Sequence, residues 1–156
     1  MDPNRLTTGE KVLGASALLL FLLSFFGFWA KVEAGGITLR FNAWDAYGIL
    51  VKLPLLLALV AIALVVARAA DAKLSIPWGT TYLGVAGVSF LFMLIALLIG
   101  PDESASAFGV EVSRGLGLFL GTLLTAAMAA GAWMHYSESP GTTSSPAAPD
   151  APPPAV

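Results

Sequence analysis

The chain contains no cysteine. That removes a disulfide framework, a thiolate metal site and a cysteine nucleophile together. Charge is scarce: Asp, Glu, Lys and Arg make up 12% of 156 residues, where an ordinary globular domain carries about 25%. The formal net charge is −2, and no run of Lys or Arg is long enough to form a nucleic-acid patch. The only histidine is His135, beside Tyr136, with Glu138 as its nearby carboxylate. That set is too small for a metal site. Serines occur without a histidine in reach for a nucleophilic triad. Gly115-Leu116-Gly117 opens an apolar block but is an incomplete phosphate-binding fingerprint. These absences leave no expected catalytic, cofactor-binding or metal-binding residues.

What remains is overwhelmingly apolar. Hydrophobic residues reach 57% and the mean hydropathy is +0.82. A bilayer-spanning helix needs about 17–25 mostly apolar residues. Four blocks meet that need: Val12 to Ala30, Tyr47 to Ala67, Tyr82 to Ile99 and Leu116 to Trp133. Backbone amides in lipid must be satisfied within their own segment, so each block is expected to be helical. The result is an all-α membrane protein, an up-down four-helix transmembrane bundle. Residues 1–11 form an N-terminal segment and residues 12–135 the transmembrane domain. Residues 136–156, rich in Pro, Ala and Ser, cannot bury a core and are expected to be a disordered tail.

Local signals mark the block ends. Thr7-Thr8-Gly9-Glu10 reads as a capping box, with Thr7 accepting from the Glu10 amide and Glu10 reaching back. Asn42-Ala43-Trp44-Asp45 has the same shape one turn before the second block. Pro77 suits a first helical position. Gly100-Pro101 suits a helix stop. The four tryptophans, Trp29, Trp44, Trp78 and Trp133, stand at block ends, where indoles anchor at the headgroup level. Pro54 can kink the second helix or merely pack within it. A cleaved leader, with Val32-Glu33-Ala34 as the processing site, is the less favoured reading, because the first apolar stretch exceeds the usual length.

Orientation follows from positive charge. Arg5, Lys11, Arg68 and Lys73 lie on one side and Lys31, Arg40, Lys52 and Arg114 on the other, so the tally is level. The short 68–76 connection carries its cations beside helix ends, which places both termini in the cytoplasm. The external connections are then 31–46 and 100–115. Gly36 to Phe41 and Phe108 to Val112 alternate in part between apolar and polar residues. They either pair as a short external β-ribbon or stand as separate loops. The two halves share this helix, alternating connection, helix pattern, which reads as a weak parallel repeat.

Inside the blocks, small residues stand out. Gly117, Gly121, Thr125 and Ala129 recur every four residues, a spacing that lets two helices approach closely. They are candidates for packing within the bundle or between copies. The one ionisable residue within a block is Lys52, near the second helix start. It either snorkels to the interface or pairs with Asp45, two turns away.

Three stretches carry a resemblance: Leu6 to Lys11, Phe26-Gly27-Phe28-Trp29, and Asn42 to Gly48. They resemble uncharacterised four-helix membrane proteins of high-GC Gram-positive bacteria, and the layout is similar to the mycobacterial 34-kDa-antigen type proteins, whose tails are longer. The resemblance spans residues 5–135 in layout and carries over no active-site residue. It implies a bacterial plasma membrane. The expected role is a non-enzymatic structural or accessory subunit of the envelope, with the lipid bilayer, a second copy or another membrane protein as partner. A small oligomeric transporter or channel is the alternative. Only Ser16, Ser24, Ser89, Thr122 and Thr125 offer polar lining, too few for a pathway through one subunit.

Overall fold

Helices account for most of the described chain, and one small sheet joins them. The computed structural model describes residues 6–34, 36–70, 72, 75–100 and 111–138. The elements run α1 (Thr8–Leu23), β1 (Ala30–Ala34), β2 (Ile37–Phe41), α2 (Ala43–Ala46), α3 (Ile49–Ala69), α4 (Trp78–Ile99), β3 (Glu111–Arg114) and α5 (Leu116–Glu138). Among the described residues, three helices, α3, α4 and α5, are long and apolar enough to cross a membrane.

The helices are apolar all round, so hydrophobicity alone does not say which side faces in, and the inward side mixes small residues with large ones. The buried positions of α4 are Tyr82, Ala86, Ser89, Met93 and Ala96. On α5 they include Leu118, Gly121, Thr125, Met128, Ala132 and His135. Both sets alternate steps of three and four, the seam of nearly aligned helices. Outward positions carry Leu59 and Val60 on α3, Leu91 and Leu98 on α4, and Phe119 and Leu123 on α5, all exposed. Helix α1 packs against α5 and α3, and α4 packs against α3 and α5. α1 and α5 approach backbone to backbone: a Cβ placed on Gly131 would lie 2.7 Å from both the Gly9 carbonyl oxygen and the Leu13 nitrogen.

The first apolar block departs from expectation. Its helix stops at Leu23 and the chain turns. Helix α1 has 16 residues, about 24 Å at 1.5 Å per residue, against 21 to 23 residues in the other three long helices. The Ser24 hydroxyl donates to the Phe21 carbonyl at 2.6 Å, and Ser24 closes the helix. Backbone groups that a continued helix would have paired find other partners. Trp29 Nε1 donates to the Leu23 carbonyl at 2.7 Å. The Ser24 carbonyl accepts from Ala43 N at 3.0 Å, the Phe28 carbonyl from Gly117 N at 3.0 Å, and the Trp29 carbonyl from Gly115 N at 2.9 Å. The Tyr47 hydroxyl adds a bond to that last carbonyl at 3.1 Å. Non-helical backbone survives in an apolar setting only with such pairing.

The ribbon expectation is corrected in its pairing. Strands form at Ile37–Phe41 and at Glu111–Arg114, but they do not touch each other; β1 lies between them in the order β2-β1-β3. β1 pairs antiparallel with β2 (Lys31 opposite Arg40, Val32 opposite Leu39) and with β3 (Ala30 opposite Arg114). The central strand therefore comes from the start of the 31–46 connection, with Ala30 from the end of the first apolar block. Residues 108–110 of the expected second strand fall outside the described residues. Two ends also shift. Asn42 caps the separate short helix α2, accepting from Trp44 N and Asp45 N at 2.9 Å. α5 runs through Glu138, so the segment expected to begin at 136 starts as helix. Gly100 closes α4 with φ of 80°, a conformation that favours glycine.

Candidate functional site: a buried charge cluster where helix ends meet

Glu10 is 0% exposed, and a buried carboxylate is costly unless it is paired. Its pairing explains the local sequence. The capping box is closed: Thr7 N donates to Glu10 Oε2 at 2.8 Å, and Glu10 N donates to Thr7 Oγ1 at 3.2 Å. The other carboxylate oxygen, Oε1, lies 3.5 Å from Arg68 Nε at the end of α3 and 3.9 Å from His135 Nδ1 near the end of α5. His135, itself 5% exposed, shares a 3.0 Å hydrogen bond with Thr7 Oγ1 and stands edge-on to the Tyr82 ring at 5.2 Å. Arg68 lies over the Trp78 indole, 5.6 Å from its centroid, a cation–π arrangement. The buried Glu10 Oε1 and Tyr82 hydroxyl each lack a hydrogen bond of good geometry.

Residues from α1, α3, α4 and α5 therefore converge on one carboxylate. Chemically the cluster can hold a charge away from water, bind or release a proton, and tie helix ends together. Among the described residues, no group of three or more His, Cys, Asp or Glu side chains gathers for a metal ion. A cavity of about 190 Å³ lies at the other end, lined by Tyr47, Gly48, Ile49, Leu50, Ala96 and Ile99 among others, and it borders none of these charged groups.

Sequence reasoning passed over this cluster. It took Glu10 as a helix cap and His135 as an isolated interfacial residue. The available signal was topological. In an up-down arrangement the starts of α1 and α4 meet the ends of α3 and α5, and each of those four ends carries a polar or ionisable side chain.

The residues that sequence reasoning singled out lie elsewhere. Gly117, Gly121 and Thr125 are buried and Ala129 is half-buried. The two glycines do not receive a helix; they cradle the Trp29 indole. A Cβ on Gly117 would meet Trp29 Cγ at 2.7 Å, and one on Gly121 would meet Trp29 Cη2 at 2.7 Å. The Thr125 hydroxyl donates to its own helix, to the Gly121 carbonyl at 3.0 Å. Trp29 is 0% exposed, so it is enclosed by protein rather than placed at an outer surface. Trp44 is half-buried, its Nε1 donating to Ser24 Oγ at 3.0 Å. Trp78 is half-buried, whereas Trp133 is 60% exposed beside Tyr136. Asp45 and Lys52 form no ion pair with each other: the helix is interrupted at Tyr47 and Gly48 between α2 and α3, so helical spacing does not carry from one to the other.

Comparison with protein-family models, with curated proteins and with solved structures finds no match to this chain.

Proposed function

We propose that this chain is a multi-pass protein of a bacterial plasma membrane. Its four longest helices make a transmembrane bundle with both termini in the cytoplasm. Its role is non-enzymatic, as a structural or accessory subunit of the envelope. The observation that carries this reading is the number of large apolar side chains left bare along all four long helices: Leu18, Leu19 and Leu22 on α1, Leu56 and Leu59 on α3, Leu91 and Leu98 on α4, and Phe119 and Leu123 on α5 are exposed, while the polar Ser89 and Thr125 are buried. In water that arrangement would leave an apolar surface far beyond what soluble proteins present. In lipid it is the expected one, because tight helix contacts rather than hydrophobic burial hold membrane helices together. The two glycines of the small-residue stripe on α5 are filled from within by Trp29, which supports a bundle complete in itself. The exposed and buried positions leave the Glu10 cluster as a structural bolt of that bundle.

The test is the mass of the intact assembly, purified in native lipid discs. A companion protein in defined stoichiometry supports the accessory-subunit reading. A closed homo-oligomer that conducts ions or solutes would overturn it in favour of a small transporter or channel.

A further inference from the structure

The β1–β2 hairpin is two-faced. Side chains alternate across a strand, and the register places Val32 beside Leu39 on one face and Lys31 beside Arg40 on the other. One face carries Val32, Ile37, Leu39 and Phe41; the other carries Lys31, Glu33, Thr38 and Arg40. The direction of the apolar face is set at its inner end. Ala30 and Phe41 are partners on that face. Ala30 is buried in the core, and Phe41 packs against it. Arg114, opposite Ala30 in β3, reaches the Leu98 carbonyl near the end of α4 at 3.4 Å. The apolar face is therefore turned toward the helices, and its outer part overhangs them. There nothing covers it among the described residues: Ile37 is 65% exposed and Leu39 52%. The same end of the molecule presents exposed Phe25, Phe26, Ile49, Leu98, Ile99 and Leu116, so the bare apolar face continues the bare apolar surface of the helix ends.

We infer that the hairpin is a lipid-seated flap: Val32, Ile37 and Leu39 rest on the acyl-chain boundary of the bilayer while Lys31, Thr38 and Arg40 face headgroups and water. This rests on the membrane-spanning reading. The occupant is lipid rather than protein because the overhanging face lies at the same end of the molecule as the exposed apolar side chains of the helix ends, the surface that lipid covers in that reading. Burial of each apolar side chain in the boundary region then offsets the cost of leaving it bare in water. The facing cations Lys31 and Arg40, unfavourable as directly opposed like charges, gain phosphate partners at the headgroup level.

The chain's lack of cysteine makes the test clean. Single-cysteine variants I37C, L39C, T38C and R40C, with L59C and L123C on exposed helix faces, carry an environment-sensitive fluorophore. The full-length protein is reconstituted in phosphatidylcholine vesicles with lipid-borne nitroxide quencher or with iodide on both sides. The proposal expects labels at 37 and 39 to be blue-shifted and quenched by the nitroxide, and labels at 38 and 40 to be quenched by iodide. Quenching of all four by iodide alone, with 59 and 123 quenched by lipid, overturns it and leaves the membrane-spanning reading intact. Labels at 37 and 39 shielded from both quenchers also overturn it, in favour of a protein cover. Failure of lipid quenching at 59 and 123 as well overturns the spanning reading itself.

Discussion

Gly121 and Trp29 offer a test in which each side of the contact predicts the other. A methyl group on Gly121 would sit 2.7 Å from Trp29 Cη2 and 2.9 Å from Cζ3, well inside contact distance. The indole has little freedom to move away, because Nε1 is held by the Leu23 carbonyl at 2.7 Å and the Trp29 carbonyl by Gly115 and Tyr47. Overpacking of this kind costs about 1–3 kcal/mol, so G121A should lower stability by that amount. Trp29→Phe removes the far edge of the ring, and with it the two atoms that clash. The double variant W29F/G121A should therefore lose less than the sum of the singles, with a coupling of about 1 kcal/mol or more. Gly117 is the internal control. A methyl group there would meet Trp29 Cγ and Cδ2 at 2.7 and 2.8 Å and Phe28 Cδ2 at 2.9 Å. Phenylalanine keeps atoms near the base of the ring, so W29F should rescue G117A poorly. The assay is detergent unfolding followed by helical circular dichroism, with the assembly mass measured in parallel. Additivity of W29F and G121A to within about 0.3–0.5 kcal/mol, together with a change in oligomer mass on G121A, would refute the reasoning. It would return the glycines to an interface between copies.

Other expectations follow from the same geometry. Gly131→Ala should be more damaging than Gly121→Ala, since its methyl meets the Gly9 and Leu13 backbone and not a side chain; a lower unfolding midpoint and lost α1–α5 cross-linking would show it. Glu10→Ala strips Thr7 N of its acceptor and should cost about 1–3 kcal/mol, the cost of an orphaned buried donor; Arg68 loses its counter-ion but, 47% exposed, stays solvated. Paired with Arg68→Met, the loss should be less than additive in a double-mutant cycle. Thr7→Ala should cost about 1 kcal/mol through the lost cap, with Thr7→Ser restoring most of it in the same unfolding assay. Tyr47→Phe should cost about 1 kcal/mol through the lost bond to the Trp29 carbonyl, read as a lower unfolding midpoint with unchanged helix content.

How much of this was legible beforehand depends on the range of the interaction involved. Thr7, Glu10 and Gly100 act within a turn of the chain, and sequence alone placed their cap and stop; Asn42 also caps a helix, but the short α2 rather than the second apolar block. The long apolar runs likewise determined α3, α4 and α5, because a run of that length and hydropathy has few other ways to satisfy its backbone. The end of α1 was not legible. A run from Val12 to Ala30 satisfies any hydropathy window, and only the docking of Trp29 onto Gly117 and Gly121, far along the chain, makes it better to stop at Leu23. The central strand Ala30–Ala34 lies mostly in the connection that follows, and no local alternation pattern announced it.

The Glu10 cluster shows the division most plainly. Thr7 and Glu10 are three residues apart and their reciprocal bonds are written in local sequence. Arg68, Tyr82 and His135 are 58, 72 and 125 positions from Glu10, and each read by itself is an ordinary helix-end residue. Sequence by itself determined that these residues stand near the ends of long apolar runs. Tertiary packing decided which ends meet, because a carboxylate taken out of water at a helix junction must find its partners across space, and chain order carries no record of those distances.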